Sequence, residues 1–436
     1  MSVKAQLLSV LPAHADVAWH VAWAPSGTTL ATAGSDHVVR LWEYKGSPAE
    51  LADSTPLDLE DADEIDSTTT CDTDECGSGC NCRERPAGWR LVQTLQGFTH
   101  RTVRGCEFSP RGDMLATAGF DGKVWVWMHR PGRPKPLHPI ACIDAHKHEV
   151  KSLAWSSDGT LLATCGRDQM VRVWQAPLDP HAACKAYSAG RKDGGFACVA
   201  AIRAHRGDAK SVRFQDGTHV LVSTGYDNVA RLWAVLRARS DSSSDGSSVV
   251  SQESNTECPR MTHSLKCLAL LRGHEGTVWG AAFVDASPGL TAGCDNSVRV
   301  YPSVVTCSDD STVRVWDIHS AEACGPSDHE EAKCREAARS RPTVNDAVVA
   351  RHGRATLSVD LHQQSGSIVS AGGDNTIVVT KLLQSSGGDL VTAEVTRTED
   401  AHEADVNCVR WNPRLAGVFA SCSDDGSVRV WGMPCA

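Results

Sequence analysis

No stretch of these 436 residues approaches the ~18–20 consecutive apolar residues that a membrane-spanning helix needs. The first 23 residues hold one short apolar run, Leu7–Leu11, broken by Ser9, which does not make a secretory signal. Positive charge is not in excess either: 43 Lys and Arg face 53 Asp and Glu, so a strongly basic, direct nucleic-acid surface is not expected. Also missing are a nucleophile–base pair, a phosphate-cradling glycine loop and a zincin spacing. No cofactor and no enzyme are expected from these absences. The net charge of −10 is itself local: residues 50–85 carry twelve acids and two bases, while the other 400 residues carry 41 of each. Eighteen cysteines without a secretory signal imply reduced thiols and a cytoplasmic or nuclear chain. Cys106, Cys165, Cys408 and Cys422 sit singly in strand-like runs and read as small buried apolar residues.

What is present is repetition. The run LLATCGRDQMVRVW (161–174) recurs at 30–42, 114–127, 220–233 and 419–431, and more weakly at 368–380, where Thr380 replaces the final Trp. A histidine in a polar turn precedes each copy. From that His to the last residue the distance is 28 for His14–Trp42, His146–Trp174, His205–Trp233 and His352–Thr380, 27 for His100–Trp127 and 29 for His402–Trp431. Each unit reads as a strand, a turn, a strand, a tight turn with Asp, and a third strand, followed by a fourth such as 89–95 or 264–271. Four-stranded units with this His–Asp–Trp spacing resemble the blades of a WD-repeat β-propeller, an all-β fold.

In such a blade the His, a strand Ser or Thr, the turn Asp and the Trp form a polar tetrad, because a buried Asp must be hydrogen-bonded. The predicted tetrad members are His14, Asp36 and Trp42; His100, Asp121 and Trp127; His146, Thr164, Asp168 and Trp174; His205, Asp227 and Trp233; and His402, Asp425 and Trp431. Their role is structural. One repeat is irregular: after His274 two hairpin-like copies follow, 290–301 and 304–316, with no second His-led strand between them. They count as one blade with a partly duplicated hairpin, and the sequence leaves open which copy occupies it. The sum is seven blades over 1–436, and the last lacks a fourth strand; Gln6–Leu11 is the spare strand that closes the ring.

Four connections exceed a turn: the acidic, Cys-bearing 44–88, the mixed polar 175–194, the Ser-rich 238–262, and the charged 317–345 with a short helix predicted around 328–340. All four are expected to be exposed loops, the first and third without order. Cys71, Cys76, Cys80 and Cys82 are the candidate metal ligands, but they lack the paired Cys-x2-Cys knuckles of a structural zinc site, and an acidic tether is the preferred reading.

Two residues per blade should project at one end of the ring. One precedes the Asp: Ser35, Phe120, Arg167, Tyr226, Cys294 or Asp309, Gly373 and Asp424. The other starts the first strand: Trp19, Arg104, Lys151, Lys210, Trp279, Leu357 and Asn407. Arg104, Lys151, Arg167 and Lys210 together, walled by Trp19, Phe120, Tyr226 and Trp279, would make a cationic cup for a peptide carrying carboxylates and an aromatic side chain. The alternative is a solvated rim whose charges pair with neighbouring acids.

These two series, with HRTVRGCEFSPRGDMLATAGFD (100–121), HEVKSLAWSSDGTLLATCGRD (148–168), GDAKSVRF (207–214), HEGTVW (274–279) and ADVNCVRWNP (404–413), resemble the WD-repeat proteins of cytosolic iron–sulfur protein assembly. The resemblance covers all seven blades but not the insertions, and Leu357 departs from it where an aromatic is expected. It implies a non-catalytic adaptor of the targeting complex that delivers clusters to Fe–S apoprotein clients. Implied partners are a MIP18-type protein, an MMS19-type HEAT-repeat scaffold and an iron-hydrogenase-like cluster carrier. Some clients of that system end in an acidic residue followed by an aromatic one. Arg167 matches the functionally important surface arginine of the family. The competing readings are a histone-chaperone subunit or a ubiquitin-ligase substrate receptor, which share the repeat but not the two face series.

Overall fold

The computed structural model describes residues 4–57, 88–130, 136–237, 262–284, 299–300, 303–319, 321–322, 343–384 and 390–433. Seven four-stranded antiparallel sheets stand as the blades of a β-propeller. Their innermost strands are Ala18–Trp23, Val103–Phe108, Val150–Trp155, Ala209–Phe214, Val278–Val284, Thr356–His362 and Val406–Trp411, for blades 1 to 7 in order. Blade 7 takes its outermost strand from the N-terminus: Gln6–Leu11 pairs antiparallel with Val428–Gly432, Leu11 opposite Val428. That closes the ring and leaves no blade short of a strand.

The second strand of each blade is buried on both faces, as in Met114–Gly119 and Val418–Ser423, because a neighbouring blade covers each side. Such strands read as unbroken small apolar runs rather than alternation. The core therefore lies in the seams. Between blades 7 and 1, for example, Trp23, Leu30 and Trp42 pack on Cys408, Cys422 and Val428.

Five of the blades, 1, 3, 4, 5 and 7, are pinned by a relay of donors. In blade 3 the Trp174 indole N–H donates to Thr164 Oγ1 (3.0 Å), the hydroxyl meets His146 Nε2 (2.9 Å), and His146 Nδ1 meets Asp168 Oδ1 (2.8 Å). The carboxylate can only accept, so Nδ1 carries the proton and Nε2 accepts from the hydroxyl. The same relay runs through Trp42, Thr32, His14 and Asp36; through Trp233, Ser223, His205 and Asp227; and through Trp431, Ser421, His402 and Asp425. A side chain at Gly34 would collide with this machinery, its Cβ falling 2.4 Å from His14 Nδ1. The residue after the Asp is left-handed in all seven blades, from Asn375 (φ 59°) to Gly122 (φ 80°), which turns the chain back into the third strand.

Three expectations are corrected. His100 is exposed; Thr99 is buried in its place and donates through Oγ1 to Asp121 Oδ2 (2.9 Å). Thr99 lies 28 residues before Trp127, the spacing of the regular copies, so the 27 of His100 was the sign of a one-residue offset. The first and second long insertions are also not wholly exposed loops. Within 44–88, a short helix at Pro48–Ala52, N-capped by Ser47, buries Leu51 completely, and Leu57 bonds through its backbone to Leu7. Within 175–194, the helix Pro180–Ser188, N-capped by Asp179, buries Ala183 in the blade 2–3 seam. Residues 58–87, with Cys71, Cys76, Cys80 and Cys82, lie outside the described residues, as do 238–261 and the helix expected at 328–340.

Blade 5 resolves the duplicated hairpin. Ser303–Ser308 and Thr312–His319 fill the second and third strand positions, and the relay runs Trp316, Thr306, His274, Asp310. Only Arg299–Val300 of the first copy is described. It pairs with Ala321–Glu322 as a separate two-stranded ribbon. The extra copy is thus a fifth insertion, between the first and second strands of the blade. Blade 6 keeps His352, Ser370 and Asp374 but has Thr380 for Trp, and the buried Thr380 hydroxyl has no hydrogen-bond partner.

Candidate functional site

Trp19, Arg104, Lys151, Lys210, Trp279, Leu357 and Asn407 are each the second residue of their innermost strand. The pre-Asp residues are fixed beside them by one repeated backbone bond. The N–H groups of Ser35, Phe120, Arg167, Tyr226, Asp309, Gly373 and Asp424 donate to the carbonyls of Val17, Thr102, Glu149, Asp208, Thr277, Ala355 and Asp405, all at 2.9–3.0 Å. One end of the propeller therefore carries both series as a double ring. It surrounds a small hub cavity of about 40 Å³, lined among others by Arg104, Lys151, Lys210, Trp279, Leu357 and Asn407.

Arg104, Lys151 and Lys210 each lie on an aromatic face of a neighbouring blade, Lys210 also on Tyr226 of its own blade. Arg104 stacks over Trp19 (4.8 Å to the ring centre), Lys151 over Phe120 (4.2 Å), and Lys210 between Trp279 (4.5 Å) and Tyr226 (5.5 Å). Each such contact contributes about 0.5–2 kcal/mol, more where water is excluded. Acids also enter the ring and pair with its cations, as the alternative reading of a charge-paired rim has it. Glu149 sits 2.9 Å from Lys151 and 3.2 Å from Arg167, and Asp208 lies 3.6 Å from Lys210. Burial pushes the Glu149 carboxyl up, but Lys151 and Arg167 outweigh it and hold it below its usual value. Burial pushes the Lys210 ammonium down, with Asp208 opposing. The signal was an acid two positions before each Lys, in Glu-Val-Lys and Asp-Ala-Lys.

Availability then differs among the four cations. Lys151 and Lys210 are largely covered, with 15% and 12% of their side chains exposed. Arg167 is 59% exposed and shares Glu149 with Lys151. Arg104 donates to the Trp19 carbonyl (3.4 Å), and among the described residues no carboxylate lies within 4.0 Å of it. Tyr226 stands out from the ring as an exposed aromatic wall. Asn407 is placed differently: it is buried, and its amide donates to the Ala18 carbonyl (3.0 Å) and Asp424 Oδ1 (2.7 Å), tying blade 7 to blade 1. Trp279 donates to Asp309 and Trp19 to Ser35. Among the described residues no group of three or more His, Cys, Asp and Glu is placed to hold a metal ion.

The WD40 family profile (WD domain, G-beta repeat) matches residues 5–43, 89–128, 137–175, 196–234, 265–302, 301–317 and 393–432. The chain belongs to the WD-repeat family. The two overlapping partial matches fall on the duplicated hairpin of blade 5. The unmatched stretch from 318 to 392 contains the blade 6 hairpin, the one without a tetrad Trp. Among curated proteins, the chain is 28% identical over 360 residues to probable cytosolic iron-sulfur protein assembly protein 1 of Vanderwaltozyma polyspora, covering 78% of this chain and 84% of that one. It is 28% identical over 363 residues to the probable cytosolic iron-sulfur protein assembly protein Ciao1 of Culex quinquefasciatus, covering 78% and 97%. A shorter match to the CIAO1 homologue of Chlamydomonas reinhardtii is 36% identical over 169 residues, 36% of this chain and 43% of that one.

Proposed function

We propose that this WD-repeat protein is a non-catalytic adaptor of cytosolic iron–sulfur protein assembly, acting in the cytoplasm and, with nuclear clients, in the nucleus. Its mouth would dock Fe–S apoproteins. Other surfaces would hold a MIP18-type protein, an MMS19-type HEAT-repeat scaffold and an iron-hydrogenase-like cluster carrier. The observation that carries this reading is the placement of exposed Arg167 and carboxylate-free Arg104 on one ring with Trp19, Phe120 and Tyr226. A guanidinium takes a carboxylate through two parallel N–H bonds, and the neighbouring rings offer apolar area to an aromatic side chain. A client ending in an acidic and then an aromatic residue presents both features.

The test has two parts. Affinity purification should recover the MIP18-type and HEAT-repeat partners; recovery of histones or of cullin adaptors instead would replace this reading. Binding of a labelled peptide ending in an acidic residue and an aromatic one should fall about 10- to 100-fold in Arg167→Glu, through lost attraction and new repulsion. Near-UV circular dichroism should stay that of the parent.

A further inference from the structure

One cross-strand pair recurs in every blade just beneath the mouth, joining the third residue of the innermost strand to its partner on the second. In six blades it combines other residues, such as Ser152 opposite Cys165 and Gly280 opposite Cys307. Only in blade 7 are both members thiols: Cys408 is directly opposite Cys422. Directly opposed residues of an antiparallel pair have Cα atoms about 4.5–5.5 Å apart, inside the ~4.4–6.8 Å range that a disulfide spans.

The surroundings favour chemistry at Cys408. It lines the hub cavity of about 40 Å³, together with His20 of blade 1. Arg410 lies 3.2 Å from His20 Nε2; a guanidinium only donates, so Nε2 accepts and Nδ1 carries the proton. That Nδ1 is 3.8 Å from the sulfur of Cys106. Burial pushes the Cys408 thiol up, but donation from the Cys422 thiol and from His20 outweighs it and holds Cys408 well below its usual value. Burial and the same bond push Cys422 up. The two thiols are thereby made unequal: Cys408, which donates to the Val21 carbonyl (3.9 Å), is the readier to give up its proton, and Cys422 the one that keeps it.

We propose that Cys408 and Cys422 are a dithiol site that hydrogen peroxide, entering through the hub cavity, oxidises to a disulfide within blade 7. Cys408 gives up its proton as its sulfur attacks a peroxide oxygen; the O–O bond breaks, the leaving hydroxide takes that proton as water, and Cys408 becomes a sulfenic acid. The Cys422 sulfur then attacks the Cys408 sulfur; the S–O bond breaks, and hydroxide leaves with the Cys422 proton as a second water. Two thiols have lost two electrons and two protons, and one peroxide has become two waters. Bulky thiol reagents cannot follow the same route, since both sulfurs are buried.

The experiment treats the folded full-length chain with hydrogen peroxide, then denatures, alkylates and digests it with trypsin. Cleavage places Cys408 in peptide 398–410 and Cys422 in peptide 415–429. The expected result is loss of both alkylatable thiols and appearance of the two peptides joined, reversed by reductant. Cys422→Ala puts in blade 7 the residue that blades 1, 2 and 6 already carry there, so it keeps the fold. In that variant the joined peptide should vanish and dimedone should trap a sulfenic acid on Cys408. Recovery of both thiols as free after peroxide, a crosslink of Cys408 to another cysteine, or no trapped sulfenic acid in Cys422→Ala would each overturn the proposal. None of these readouts depends on what the mouth binds.

Discussion

Blades 2–4 present Arg104, Lys151, Lys210 and Arg167 at the mouth, over Trp19, Phe120 and Tyr226, whereas blades 5–7 present Asp309, Gly373, Asp424 and the buried Asn407 from the same strand positions. The backbone frame is the same in both halves, down to the bond from each pre-Asp N–H. Chemistry is set entirely by which side chain that frame carries. The positive half also brings its own acids: Glu149 and Asp208 each lie two residues before the lysine they meet, and Glu149 also meets Arg167 from the neighbouring hairpin. The ring is therefore a dipole with part of its positive charge internally neutralised. Of the four cations, Arg167 is the most exposed, and Arg104 has no carboxylate partner among the described residues.

Removing residues 1–12 should disturb this comparison most. Blade 7 would lose its fourth strand and its bond to Leu57, and the two halves would no longer be held face to face. The melting temperature should drop by about 10 °C or more in a thermal scan; an unchanged melt would show that blade 7 needs no closure. Smaller, and opposite in sign, is Glu149→Gln. It frees Lys151 and Arg167 from their shared acid, so affinity for the acidic–aromatic peptide should rise about threefold at low salt by fluorescence anisotropy. A fall would mean that Glu149 positions the cations rather than competing for them. Asp309→Asn in the other half keeps an acceptor for the Trp279 indole and removes one negative charge. Its gain should stay below about twofold and vanish at high salt.

The smallest effect expected concerns Asp360, in the innermost strand of blade 6 below the mouth. Burial pushes its carboxyl up to about 7, against the Arg213 charge and the Trp411 backbone N–H. A raised folded value favours the protonated acid, so its stabilising contribution is complete below the unfolded value, about 3.9, and is lost as pH rises through about 7. Asp360→Asn keeps the acceptor for Trp411 and cannot ionise. The melting temperature of the variant should gain on the parent by about 2 °C or more between pH 5 and pH 8, without change in peptide affinity.

Most of the architecture was legible because the repeat carries it: spacing from His to Trp fixes where strands and Asp turns fall. The double ring was legible by the same register. What escaped were choices between neighbours. Thr99 and the adjacent His100 can each offer a polar atom to Asp121; burial selects Thr99, and the spacing of 28 to Trp127 agrees with it. Two hairpin copies satisfy blade 5 locally, yet only 304–316 brings a Trp whose indole reaches Thr306 while His274 keeps Asp310. That Glu149 and Asp208, in the turns just before the strands of Lys151 and Lys210, are the acids that pair with them was hidden because reading the ring by position passed over those turns. Leu51 was lost in an acidic tract whose composition masked one buried side chain.

Closure by Gln6–Leu11 has a consequence for how the molecule is made. Its partner, Val428–Gly432, is more than 400 residues away along the chain. During synthesis the earliest strand is among the first to emerge and the last to be matched. Blades 1–6 can form from nearby strands as they appear, but blade 7 waits until Val428–Gly432 has been made, and bringing its ends together carries a loop-closure entropy that grows only logarithmically with that separation. Until then a bare edge of sheet stands open on a nascent ring, exposed to whatever strand or chaperone meets it first.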